Sequence, residues 1–85
     1  MRYKLFEDVA LTKDIFEKNF KKGDIATIVE YHPVSNKEAG YSLEIFNALG
    51  DTIDVITVSE SAISPLSKNE IFNVRSLARG QECIF

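Results

Sequence analysis

Apolar and polar positions alternate along this chain with a period of two, the spacing of side chains on a strand rather than on a helix. Residues 25–31 give the clearest case. Ile25, Thr27, Val29 and Tyr31 fall on one side and Ala26, Ile28 and Glu30 on the other. The first half of this segment is apolar on both sides and rich in β-branched residues, which predicts a central, bent strand. Residues 41–46 repeat the pattern, with Tyr41, Leu43 and Ile45 alternating with Ser42 and Glu44. Residues 52–58 follow it too, Ile53, Val55 and Thr57 opposing Asp54, Ile56 and Val58. A short β-prone run within residues 5–12 carries Val9 and Leu11 on one face, and residues 71–75 read as a weak fifth strand.

The connections carry turn chemistry. Lys21-Lys22-Gly23-Asp24 makes a charged turn into the central strand, its glycine supplying backbone freedom. Residues 47–51, Asn-Ala-Leu-Gly-Asp, read as a hairpin connection, and residues 32–40 as a loop. Residues 59–67 turn through Ser64-Pro65 as an irregular or single-turn helical piece. Residues 14–22 leave two readings open. Phe16 and Phe20 would share a face on a short helix; equally, the segment is an irregular loop packing one or both rings over the end of a barrel. The expected fold is all-β: a small SH3-like antiparallel barrel of about five strands, with one irregular or short helical excursion. Residues 1–77 form its single domain and residues 78–85 a flexible tail.

Composition narrows the chemistry. The 85 residues suffice for one domain, and 45% hydrophobic content is that of a globular chain. The net charge of −3 argues against a nucleic-acid binder that works through a strong basic field. One cysteine, Cys83, allows no intramolecular disulfide and points to a reducing cytoplasm. No apolar run approaches the ~20 residues of a membrane span, and the N-terminus lacks a signal-peptide hydrophobic region. A soluble cytoplasmic protein with no membrane role is expected.

Four stretches carry a family resemblance: Asp8-Val9-Ala10-Leu11-Thr12-Lys13-Asp14, Lys22-Gly23-Asp24, Thr27-Ile28-Val29-Glu30, and Gly40-Tyr41-Ser42-Leu43-Glu44-Ile45-Phe46. In order and spacing they resemble the bacterial, often cyanobacterial, domain-of-unknown-function family 4926, over roughly residues 5–66. The resemblance implies an SH3-like layout and, more distantly, similarity to KOW-type segments of translation and transcription factors. Where members often carry a second glycine this chain has Ala26, which removes backbone freedom from a KOW-like turn. The resemblance brings no catalytic residues and no cofactor with it.

No catalytic constellation emerges from the residues themselves. His32, the one histidine, lacks the partners that a metal site or a general base requires. The acid pairs Glu7-Asp8 and Asp51/Asp54 read as solvated turn residues, and Ser59, Ser61 and Ser64 lie in a turn with no nucleophile elbow. Lys13, Lys18, Lys21 and Lys22, interleaved with Phe16 and Phe20, form the densest basic cluster, diluted by Asp14, Glu17 and Asp24. The expected role is therefore a non-catalytic protein-interaction module, its partner the product of a neighbouring gene. The expected contact surface is built from Phe16, Phe20, Lys21, Lys22, Tyr31 and His32. A homodimer through an edge strand or the C-terminal segment also fits. The alternative is a KOW-like nucleic-acid-associated module using Lys18, Lys21 and Lys22 as phosphate contacts.

Overall fold

A computed structural model describes residues 3–77; the expected tail, with Cys83, lies outside the described residues. Five strands, β1 (Asp8–Leu11), β2 (Ile25–His32), β3 (Gly40–Phe46), β4 (Thr52–Ser59) and β5 (Ile63–Pro65), form one antiparallel sheet. Its order is β4-β3-β2-β1-β5, so the strand that is apolar on both faces lies at the centre. Two 3-10 turns, Phe16–Lys18 and Glu60–Ala62, complete the element order. The domain is all-β, as the period-two alternation predicts.

One face of the sheet curls around the core. Val9, Leu11, Ile28, Tyr41 and Leu43 are almost fully buried there, with Phe20, Ala26, Ile45, Ile56 and Ile63 packed around them. Each such side chain removed from water contributes about 1.5–3 kcal/mol for the larger aliphatics. Tyr41 stacks edge-on to Tyr3 with centroids 5.5 Å apart and tilts against Tyr31 at 5.4 Å.

The central strand departs from strict alternation. Ile28 pairs with Leu43 and Glu30 with Ser42, so Val29 is an extra residue on β2, a bulge. Beyond it the faces exchange. Tyr31 joins the core face of Ala26 and Ile28 instead of sharing a side with Ile25 and Thr27, and sits opposite Tyr41. The expected one-sided row of Ile25, Thr27, Val29 and Tyr31 is thus corrected by a single inserted residue.

The fifth strand also moves. Residues 71–75 adopt no strand; β5 is Ile63–Pro65, pairing with β1 from Leu11↔Ile63 to Val9↔Pro65. Proline can sit there because β5 ends the sheet and a missing N–H on the outer side breaks no ladder. Two turns match their residues closely. Gly50 at φ 91° closes the β3–β4 hairpin, where the Asn47 side-chain carbonyl accepts the backbone N–H groups of Leu49 and Asp51, each at 2.9 Å. Gly23 takes φ 94° ahead of β2; both glycines occupy left-handed backbone that a side chain would strain.

Candidate interaction surface

The loop before β2 separates the two phenylalanines. Ile15 and Phe20 bond each other's backbones, Ile15 N–H to Phe20 O at 2.8 Å and Phe20 N–H to Ile15 O at 3.2 Å. Asn19 turns left-handed at φ 63°, ending the 3-10 turn before a second helical turn forms. Phe20 therefore enters the core at 3% exposure while Phe16 stands 80% exposed. The four-residue spacing means a shared face only on an α-helix, and this loop is not one.

Lys21 and Lys22 are exposed, on a backbone held by carboxylates. Lys21 N–H donates to Asp24 Oδ2 and Lys22 N–H to Asp14 Oδ1, both at 2.8 Å. Lys18 Nζ lies 3.2 Å from Asp54 Oδ2. The hydrogen bond from Lys18, then that from the Val55 N–H, holds the Asp54 carboxyl below its ordinary range against a small opposing effect of burial.

His32 sits on the outer face at the far end of β2, its Nε2 2.8 Å from Ser42 Oγ, which lies 3.0 Å from Thr57 Oγ1. Glu30 Oε1 approaches the same His32 nitrogen at 3.5 Å. A serine triad needs the carboxylate on the opposite ring nitrogen, where it orients the base. Here Glu30 and Ser42 compete for one nitrogen, so the group works as a polar ladder across three strands. Sequence reading missed Ser42 because its partners come from β2 and β4, joined only by register.

The six expected surface residues do not meet. Phe20 and Tyr31 pack in or against the core, Phe16, Lys21 and Lys22 lie before β2, and His32 lies at its other end. The eight residues of β2 put the two ends about 23 Å apart. Ser59 ends β4, Ser64 lies in β5, and the Ser61 N–H donates to Glu38 Oε1 at 3.0 Å, so the serines serve turns and strand ends. Among the described residues no group of three or more His, Cys, Asp or Glu is placed to hold a metal, and no helix is long and apolar enough to cross a membrane.

The exposed apolar surface gathers elsewhere. Residues 71–77 lie across the end of the sheet, and between them and the β3–β4 end runs a groove of about 700 Å³. Phe46 and Ile53 line it from the sheet, Ile71, Phe72 and Val74 from the segment, and these five are 39–89% exposed. Leu77 packs against the core. Arg75 anchors the segment midway: its Nε donates to Asp24 Oδ1 at 2.8 Å and its Nη2 to the Asn19 carbonyl at 3.1 Å, with a second bond to Asp24 Oδ2. Burial raises the Asp24 carboxyl, but the hydrogen bonds from Arg75 and the Lys21 N–H, with the charges of both residues, leave it below its ordinary range. The sequence signal was present in Ile71, Phe72 and Val74. It read as a strand because alternation alone does not say whether an edge is free to receive one.

A family model for the Domain of unknown function (DUF4926) matches residues 5–65. No curated protein and no solved structure matches the chain. The matched region runs from before β1 through all five strands and stops ahead of the Arg75-anchored segment. It spans more than half of the 85 residues, and the chain belongs to the DUF4926 family.

Proposed function

We propose that this chain is a non-catalytic protein-interaction module of the bacterial cytoplasm, binding another protein such as the product of a neighbouring gene. The observation that carries the reading is the apolar surface at the end of the sheet, where Phe46 and Ile53 face Ile71, Phe72 and Val74 across an open groove. Exposed apolar side chains gathered around a groove are characteristic of contact surfaces. The surface thereby moves from the Phe16–His32 set to the C-terminal segment and the β3–β4 end. An SH3-like reading of the sheet is supported by its order, in which the first and last strands pair after a 3-10 turn.

Two features favour a protein over a nucleic acid as partner. Phe20 is in the core and so offers no stacking face, and Lys18 is engaged by Asp54. The test is recovery of bound protein from the native host on the tagged chain and on a Phe72→Ser/Val74→Ser variant. One protein in near-stoichiometric yield on the parent chain, lost from the variant, is expected. Recovery of nothing, or of nuclease-sensitive material that falls away with salt, overturns the reading.

A further inference from the structure

At the end of the sheet opposite β5, β4 pairs with β3 alone among the described residues. Which of its backbone groups face outward follows from the ladder. Ile28 donates its N–H to Glu7 O at 3.0 Å and accepts from Phe6 N–H, so its polar groups point away from β3. Its partner Leu43 then turns its own N–H and C=O towards β4, onto Ile56. Val55, Thr57 and Ser59 consequently direct theirs to the free edge. The Val55 N–H confirms this polarity, because it is taken up by the Asp54 carboxylate at 2.8 Å and not by β3.

This edge is long and lightly guarded. From Asp54 to Ser59 it carries no proline and no lysine, two of the usual devices against edge pairing, and its one bulge, at Ile53, lies before that stretch. Asp54 is its one charge. A cleft of about 640 Å³ follows the strand on the core side, between Val58 and the loop carrying Lys13, Ile15 and Lys18.

We propose that two copies of this chain join through β4, antiparallel, about a two-fold axis at Thr57. The inference deepens the interaction-module reading, and rests on it, by naming a second copy as one partner. The strand is self-complementary in that register. Thr57 meets the partner's Thr57 on the outer face, and Val55 meets the partner's Ser59. Ile56 lies beside the partner's Val58 on the core face, where Val58 is only half-buried in one copy. Thr–Thr and β-branched pairs are favourable cross-strand neighbours. At the ends Asp54 comes opposite the partner's Glu60, with Lys18, already 3.2 Å from Asp54, between the two carboxylates. Thr57 and Ser59 supply about four ladder hydrogen bonds without rearrangement. The Asp54 cap on Val55 N–H withholds the remaining pair, so association is weak and concentration-dependent, in the range of small interfaces.

The test is a charge exchange at the axis. Thr57→Lys and Thr57→Glu are measured by sedimentation, alone and as an equimolar mixture, over about 10 µM to 1 mM, the range of weak association. The parent chain is expected to dimerise. Each variant alone should bind itself about tenfold more weakly, since like charges would stand directly opposite; the mixture should recover dimer. A parent chain that stays monomeric throughout, or variants that dimerise as it does, or a mixture of folded variants that recovers nothing, overturns the proposal. A measurement without substitutions runs beside it: amide exchange at Thr57 and Ser59 should slow as the parent concentration rises, and unchanged exchange counts against pairing. These variants leave Phe72 and Val74 in place, so failure here and failure of the capture experiment are separate results.

Discussion

Arg75 and Asp24 join the C-terminal segment to the turn that launches β2, fifty-one residues earlier in the chain. The Arg75 guanidinium donates to both oxygens of the Asp24 carboxylate while reaching the Asn19 carbonyl with the same Nη2. One side chain thus ties three segments, and it holds the stretch that carries the apolar residues Ile71, Phe72 and Val74.

Replacing Arg75 with alanine should release residues 71–77 and cost about 1 kcal/mol, a modest figure because the pair is partly exposed. Asp24→Ala should cost more, since that carboxylate also accepts the Lys21 N–H in the turn. The pH dependence follows from the lowered Asp24 carboxyl. A group depressed by folding contributes stability above its unfolded pKa, about 3.9, and that contribution disappears as pH falls through the lower folded value. The gap between parent and Arg75→Ala in urea unfolding should therefore hold from pH 7 to about 5 and close below about 4. A gap that is unchanged at acid pH would show that the contact acts by packing alone.

Tyr41 presents a different balance. Its ring is buried at the centre of the core, yet among the described residues its hydroxyl has no hydrogen-bond partner. An unsatisfied buried hydroxyl costs free energy that phenylalanine would not incur. Tyr41→Phe should leave thermal stability unchanged or raise it by up to about 1 kcal/mol. A clear loss would mean that an internal water satisfies the oxygen.

Deleting Val29 tests the bulge. Without it Ile28 and Glu30 become consecutive against Leu43 and Ser42, and Tyr31 keeps its place opposite Tyr41. The deletion should fold with the Tyr31–Tyr41 ring contact intact by NMR. Had the strand alternated regularly, the same deletion would have turned every later side chain to the wrong face.

That bulge also marks how far the sequence could be read. The period-two runs located β1 to β4 and the glycine turns, because strand faces and left-handed turns are local properties. Val29 escaped notice because a bulge depends on how the neighbouring strand registers, which no single segment records. Ser64-Pro65 read as a turn and residues 71–75 as a strand for the same reason. Proline in an edge strand and alternation without a pairing partner are both decided by sheet order. The candidate surface was the least legible part. Phe16 and Phe20 were grouped by spacing and parted by Asn19, and the groove exists only once Arg75 has found Asp24.

Ser42, His32 and Glu30 offer a direct check on the non-catalytic reading. A fluorophosphonate, which phosphonylates activated serines with loss of fluoride, should leave Ser42 unlabelled, because Glu30 and Ser42 share one imidazole nitrogen and, among the described residues, nothing orients the other. Stoichiometric labelling that disappears in Ser42→Ala would contradict it.

The most direct measurement places a photo-crosslinking side chain at position 72, in the middle of the exposed apolar segment, and another at the exposed Lys37 in the β2–β3 loop, with irradiation in the native host. A discrete protein adduct at position 72 and none at position 37 is the expected result. Equal, diffuse labelling at both positions, or an adduct at 72 that is nucleic acid, contradicts the claim that this surface binds protein.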